Sequence, residues 1–179
     1  MVLASGAPAQ FQRSNLSIWA TTSTGESMDV VSKEVRSRMM AGIRGSNTIP
    51  EMKVRKLLHR NGFRYRLHPR ELPGRPDVVL PRYRVCIFIH GCFWHRHPEC
   101  RYATNPSSRE DFWRTKFEQN VKRDIKNRNE LLQLGWRVFE LWECGIRKPE
   151  AEMEWLLKAV SDCNQQYISW PTVPAVTSS

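Results

Sequence analysis

No run of about 18 apolar residues occurs anywhere in the 179-residue chain, and this excludes a membrane-spanning helix. The longest apolar stretch of interest, Val85-Cys86-Ile87-Phe88-Ile89, has strand length. Cysteine is scarce and odd in number, with five at Cys86, Cys92, Cys100, Cys144 and Cys163. Residues 1–27 lack the basic start and long apolar core of a secretory signal. A disulfide framework is therefore not expected, whereas cytosolic thiols or a metal site are. Internal repeats are also missing. Finally, one region is nearly bare of acidic residues. Between Ser32 and Arg70, eleven Lys and Arg face only Glu34 and Glu51, so this stretch holds +9 of the chain's formal +10. Such a concentrated basic block is the electrostatic footprint of a polyanion binder.

What remains is ordinary globular material. Hydrophobic residues make up 40% of the chain and aromatics 10%, enough for one domain with a single core. Residues 1–28, rich in Ser, Thr, Ala and Gly, read as a disordered tail, 29–165 as the folded domain, and 166–179 as an irregular C-terminal tail. A short helix is expected after the N-cap Ser32. A second begins at Thr48 and Pro50, with Met52, Val54, Leu57 and Leu58 as its apolar face, and stops at Asn61-Gly62. Phe63–Leu67, Asp77–Leu80 and Val85–Ile89 read as strands, the last two joined by a tight Pro81-Arg82-Tyr83 turn. The stretch from His90 to Pro106 reads as irregular, Arg109–Leu134 as a long helix, Trp136–Trp142 as a strand, and Pro149 to about Ser161 as a final helix. This order predicts a mixed α/β sheet flanked by helices.

Two motifs carry chemistry. The first is Cys92-(4)-His97-(2)-Cys100, with Cys144 far downstream. Soft and borderline donors crowded within nine residues fit a tetrahedral Zn²⁺ shell. The fourth ligand must come from elsewhere. Cys144 follows a strand that can pair beside Val85–Ile89, and His90 and His95 compete for the role. The second motif is Pro73-Gly74-Arg75-Pro76-Asp77 opening a buried strand. A carboxylate at that point faces the sheet end, where it can hold a hard cation such as Mg²⁺. A turn-capping Asp is the plain alternative.

Gly74-Arg75-Pro76-Asp77, the strand running into His90-Gly91-Cys92-Phe93-Trp94-His95, and Trp142-Glu143-Cys144 together resemble the very short patch repair (Vsr) DNA mismatch endonucleases. The likeness runs from about Val30 to Arg147 and includes Phe112-Trp113 and Asn120-Val121-(2)-Asp124. It implies a restriction-endonuclease-like (PD-D/E-x-K type) fold with a structural zinc site. It also implies a Mg²⁺-dependent nick beside the thymine of a T·G mismatch left by deamination of 5-methylcytosine. The implied setting is the bacterial cytoplasm, associated with the nucleoid.

By the same resemblance, Asp77 matches the Mg²⁺ ligand, with the backbone carbonyl of Ile89 beside it. His95 matches the histidine that acts on the attacking water, and Asp124 the carboxylate that orients it. His90 matches a second histidine near the phosphate, and Glu51 an acidic residue supplied by the second helix. Cys92, His97, Cys100 and Cys144 match the zinc ligands. Phe93, Trp94 and Trp113 match aromatics that wedge into the base stack. Lys33, Arg36, Arg38 and Arg44, on the first helix, are expected to clamp DNA distorted by that wedge. The implied partner is double-stranded DNA with a T·G mismatch. Mismatch-repair proteins are candidate partners, no membrane is involved, and a monomer is expected because nicking one strand needs one active site.

Two departures from the family pattern lie in this stretch. Ile89 stands where the family often has Thr, which a backbone carbonyl ligand tolerates. The zinc loop carries Pro98-Glu99 before Cys100. The Glu-x-Lys that many nucleases of this fold place on the following strand is missing from Val85-Cys86-Ile87, so histidines must substitute. The rivals are a non-catalytic zinc-stabilised DNA-binding module and a related nickase with another DNA target. Asp77 together with His95 separates the first rival, since a pure binder has no use for both.

Overall fold

The structure is a computed structural model that describes residues 47–162 and 164–172. The expected first helix and its Lys33, Arg36, Arg38 and Arg44 lie outside the described residues, as does Cys163.

Helix α1 (Ile49–Arg60) starts where its capping chemistry dictates. The Thr48 hydroxyl accepts from the Glu51 backbone N–H, Pro50 sits in the first turn, and Glu51 turns back to accept from the Asn47 N–H at 3.0 Å. This reciprocal arrangement is a capping box set one residue outward. The helix stops at Asn61, and Gly62 takes the left-handed φ of 80° that closes such an end. Val54, Leu57 and Leu58 are fully buried along one side. Met52, expected on that face, is instead 38% exposed, because it lies on the opposite side of the helix from the core.

Four strands form one sheet in the order β1 (Val78–Leu80), β2 (Val85–His90), β3 (Arg137–Trp142), β4 (Tyr167–Trp170). β1 runs antiparallel to β2 through a 3-10 turn at Pro81–Tyr83, and the other pairs are parallel. Alternation along the strands sends Val78, Leu80, Ile87, Phe139 and Leu141 to one face, against α1 and α5 (Trp155–Ser161). Val79, Cys86, Phe88 and Val138 point to the other, against Leu131 of the long helix α3 (Glu110–Gln133). The result is the expected mixed α/β sheet with helices on both faces.

Four expectations need correction. Phe63–Leu67 is not a strand; its backbone joins the sheet through a two-hydrogen-bond bridge between Arg66 and Val79, while Phe63 and Tyr65 pack on the core, and among the described residues no further strand pairs with it. The His90–Pro106 stretch contains a helical turn, α2 (Cys92–His95), ended by Arg96 at φ 55°. The last helix is two pieces, a 3-10 turn at Glu150–Met153 and then α5. The most consequential is β4, which lies in the 166–179 segment read as a tail and pairs with Val138–Leu141. Arg137 explains how this strand is held. Its guanidinium caps the end of α5 through the Ala159 (2.6 Å) and Val160 (2.9 Å) carbonyls, reaches the Asp162 carbonyl, and binds the Gln165 carbonyl at 2.9 Å just before β4 begins. A cation on the exposed carbonyls of a helix C-terminus is favourable for the same reason a C-cap is.

Candidate active site and metal centre

The two central parallel strands end together, with His90 of β2 opposite Trp142 of β3. The chain then turns into α2 on one side and α4 (Glu143–Ile146) on the other. Between these ends, α1 and α3 lies a cleft of about 540 Å³. Glu51, Asp77, Ile89, His90, His95 and Asp124, named from sequence as the catalytic and Mg²⁺ set, all line it.

Asp77 sits just ahead of β1, where the chain leaves the turn at Gly74. That glycine is required: its φ is 71°, and a Cβ there would lie 2.7–2.9 Å from the Asn127 side chain on α3. Asp77 Oδ2 accepts from the Ile89 N–H at 2.7 Å, so one carboxylate oxygen is pinned to the β2 backbone. Burial, reinforced by the neighbouring Glu51 carboxylate, pushes its pKa up to about 6.

His90 is 5% exposed, and burial holds its imidazole well below the ordinary histidine range, so it is neutral at pH 7. Its ring packs against His95 with centroids 4.1 Å apart. His95 Nδ1 lies 2.6 Å from Asp124 Oδ2. An ionised carboxylate only accepts, so Nδ1 carries the proton and Nε2 is left with a free lone pair. A helix (α3), a helical turn (α2) and a strand end thus assemble an imidazole base backed by a carboxylate.

Glu51 is anchored differently. Oε1 accepts from the Thr48 hydroxyl at 2.9 Å, and Oε2 accepts from Asn47 N–H at 3.0 Å and Arg55 at 2.7 Å. Both oxygens are engaged in holding α1 in place.

Next to this cleft, Cys92, His97, Cys100 and Cys144 are all buried, and one donor atom from each lies within 4.8 Å of the others. Cys144 Sγ and Cys92 Sγ are 3.3 and 3.8 Å from His97 Nδ1. In a tetrahedral shell with metal–donor bonds of roughly 2.0–2.3 Å, neighbouring donors stand about 3.5 Å apart, so the spacing fits one metal ion. The far ring nitrogen supports this reading. His97 Nε2–H donates to the Pro171 carbonyl at 3.1 Å, the outer hydrogen bond that metal-binding imidazoles use to fix the tautomer, and it leaves Nδ1 as the ligand atom. Burial and the adjacent Cys144 thiol raise the pKa of Cys92, so a cation is needed to hold thiolates there. His90 and His95, the competing ligands, line the adjoining cleft instead.

The three wedge candidates gather at one edge. Phe93, Trp94 and Trp113 are half-buried, with centroid separations of 5.1 to 5.9 Å, and they join Phe117 below and the 49%-exposed Phe112 beside them. They are not core residues. Trp94 also lines the cleft, so the aromatic edge is continuous with the cleft that His95 and Asp124 line.

Sequence reading missed several groups at this site. Glu140 of β3, buried and lining the cleft, binds Arg128 at 3.2 Å and accepts from the Tyr167 hydroxyl at 2.7 Å. Glu140 was hidden in a strand where apolar residues were expected. His68 lies 3.7 Å from Asp77 and 3.9 Å from Glu51. The one available signal was a histidine in a Leu-His-Pro segment shortly before the Gly-Arg-Pro-Asp turn.

Residues 28–101 match the family described as DNA mismatch endonuclease Vsr. The Type II nicking enzyme V.XorIIP of Xanthomonas oryzae pv. oryzae is 47% identical over 118 residues, covering 66% of this chain and 86% of that protein. The Type II nicking enzyme V.NmeAIP of Neisseria meningitidis is 43% identical over 119 residues, covering 66% and 84%. The DNA mismatch endonuclease Vsr of Escherichia coli is 43% identical over 122 residues, covering 68% and 78%.

Proposed function

The chain belongs to the Vsr family of DNA mismatch endonucleases, and from that premise we propose that it nicks one strand beside the thymine of a T·G mismatch. It is a DNA endonuclease, a hydrolase acting on phosphodiesters. The observation that carries the mismatch-nicking reading is the convergence of Asp77 and the His95–Asp124 pair in one cleft beside an exposed aromatic edge.

In this reading Asp77 and the Ile89 carbonyl would hold Mg²⁺, which would supply charge neutralisation at the phosphate. His95 Nε2 takes the proton of the attacking water as its oxygen bonds to phosphorus, and Asp124 stabilises the imidazolium that results. The bond from phosphorus to the leaving oxygen breaks, and that oxygen takes up a proton from solvent water. His90, neutral and buried, donates a hydrogen bond to the phosphate. Glu51 secures the α1 side of the cleft. Phe93, Trp94 and Trp113 insert at the mismatch, where unstacking costs least. Cys92, His97, Cys100 and Cys144 hold a structural zinc. The four-stranded sheet, with Asp77 at its catalytic end, supports a restriction-endonuclease-like fold. The site of action is cytoplasmic DNA, and the protein acts as a monomer.

Lys33, Arg36, Arg38 and Arg44 supply a clamp on the distorted duplex. Deleting Met1–Arg44 is expected to weaken DNA binding and flatten its salt dependence, each lost phosphate contact reducing the slope by about 1. Unchanged binding would remove the clamp from the scheme.

The first experiment is a nicking assay with Mg²⁺ on labelled T·G and C·G duplexes, comparing wild type with Asp77→Ala and His95→Ala. Cleavage confined to the T·G duplex and lost in both variants is the expected outcome. Equal cutting of the matched duplex would favour a second reading, a nickase with another target. The similarity to Type II nicking enzymes supports that alternative.

A further inference from the structure

With the assignment of Asp77 as the Mg²⁺ ligand as its premise, we propose that His68 is a positioning residue for Asp77, presenting its Nδ1–H to that carboxylate and setting how it faces the metal.

Arg55 sets the geometry. This guanidinium is 4% exposed and is fixed by Glu51 Oε2 at 2.7 Å and Asn47 Oδ1 at 2.6 Å. Its NH2 lies 3.0 Å from His68 Nε2. A guanidinium has only donors, so Nε2 accepts, and the proton of the neutral ring must sit on Nδ1. Nδ1 is the atom turned toward Asp77, 3.7 Å from Oδ1. The other oxygen, Oδ2, is already taken by the Ile89 N–H at 2.7 Å. The carboxylate is therefore addressed from two sides, by the β2 backbone and by an imidazole whose tautomer a buried arginine dictates.

Glu51, His68 and Asp77 offer donor atoms within 4.8 Å of one another, and a metal held by all three is the obvious competing idea. The hydrogen bonds argue against it. Both Glu51 oxygens are engaged, and Arg55 occupies His68 Nε2 with a positive charge. Nor does His68 line the cleft. At 3.7 Å its Nδ1 is in ion-pair range of Asp77, a distance that one bridging water closes, and a polar group so placed orients a metal ligand from outside its shell. The backbone agrees: His68 adopts a φ of 44°, a left-handed conformation costly for any residue with a side chain, directly before Pro69.

The test uses Mn²⁺ as the probe, titrated into the full chain by calorimetry and by loss of the free-ion paramagnetic resonance signal. Four proteins are compared: wild type, Asp77→Ala, His68→Asn and His68→Gly, each checked for folding by its melting curve. Asn places an amide N–H near the Nδ1 position and also tolerates the left-handed backbone. Gly accepts the same backbone with no donor. Expected are loss of the site in Asp77→Ala, near wild-type affinity in His68→Asn, and about tenfold or greater weakening in His68→Gly. The Mg²⁺ concentration for half-maximal nicking should rise in His68→Gly by the same factor. Wild-type affinity in His68→Gly, or equal weakening in Asn and Gly, overturns the proposal. Wild-type affinity in Asp77→Ala overturns the metal assignment beneath it, a separate failure with its own signature.

Discussion

At the scale of single residues, the site holds charge where folding alone would not. Asp77 has its pKa raised from 3.8 to about 6, chiefly by burial. The folded protein therefore binds more protons than the unfolded chain between those values, and metal-free stability falls as pH rises through that window. Above pH 6 the cost of the ionised group is fully present. Its side chain keeps 22% exposure, and we set the cost at about 1–2 kcal/mol. Asp77→Asn keeps the acceptor for Ile89 and removes the charge. It should raise the melting temperature at pH 7.5 without divalent metal by a few degrees, roughly as such an energy implies for a domain of this size, and abolish nicking. An unchanged melting temperature would show that Asp77 is not strained by ionisation. Asp124→Asn tests the neighbouring pair. An amide can offer an N–H to His95 Nδ1 and so favour the wrong tautomer. We expect kcat to fall by about 10²–10⁴ with Mn²⁺ affinity unchanged. A fall in metal affinity instead would move Asp124 into the metal shell.

At the scale of elements, the aromatic edge is made by the junction of a four-residue helical turn and the first turns of α3. Arg96 fixes that junction, with its guanidinium over the Phe117 ring at 4.5 Å and bonded to the Thr104 carbonyl at 2.9 Å. Trp113 is half-buried, so truncating it removes little core. Trp113→Ala should weaken binding to a T·G duplex by roughly tenfold to a hundredfold, as loss of one stacked ring does, with a much smaller effect on matched DNA. Equal loss on both duplexes would make the ring a general contact rather than a wedge.

These same elements show what was legible beforehand. Asp77, His90, His95 and Asp124 could be named because their strings resemble those of the Vsr family; without that likeness Asp124 reads as an ordinary charged residue on a helix face. α1 could be bounded because Thr48, Pro50 and Gly62 carry local capping chemistry. The α2 turn was not legible, because four residues between a glycine and a zinc-loop histidine have no periodicity to show. His68 was missed because its partners Arg55 and Asp77 are 13 positions before it in helix α1 and 9 after it beyond a turn.

At the scale of the molecule, β4 and the Cys–His cluster explain one another. Tyr-Ile-Ser-Trp before a proline is too short and too mixed to read as a strand, and its place is fixed by contacts that only the fold supplies. The Trp142 indole N–H donates to Ser169 Oγ at 2.9 Å, and His97 stacks on Trp142 with centroids 4.3 Å apart. His97 Nε2 reaches the Pro171 carbonyl at 3.1 Å. Beside them, Gly145 leaves no room for a side chain, since a Cβ would lie 2.5 Å from Pro171 Cδ and 2.6 Å from the Trp170 ring. The Cys–His cluster is thus bonded to the exit of the sheet's last strand, while α1, though Lys53 Nζ donates to the Ile146 carbonyl of α4 at 2.6 Å, is held chiefly by its buried Val54, Leu57 and Leu58 in the core. Removing the metal with a strong chelator should lower the melting temperature and release the β4 amides to hydrogen exchange first, with α1 amides protected until global unfolding. Cys144→Ser should do the same without chelator, because it leaves three ligands and breaks the link between β3 and the loop. Uniform loss of protection across α1 and β4 together would mean that the metal supports the whole fold, and simultaneous retention in both would mean that the four ligands hold nothing the fold depends on.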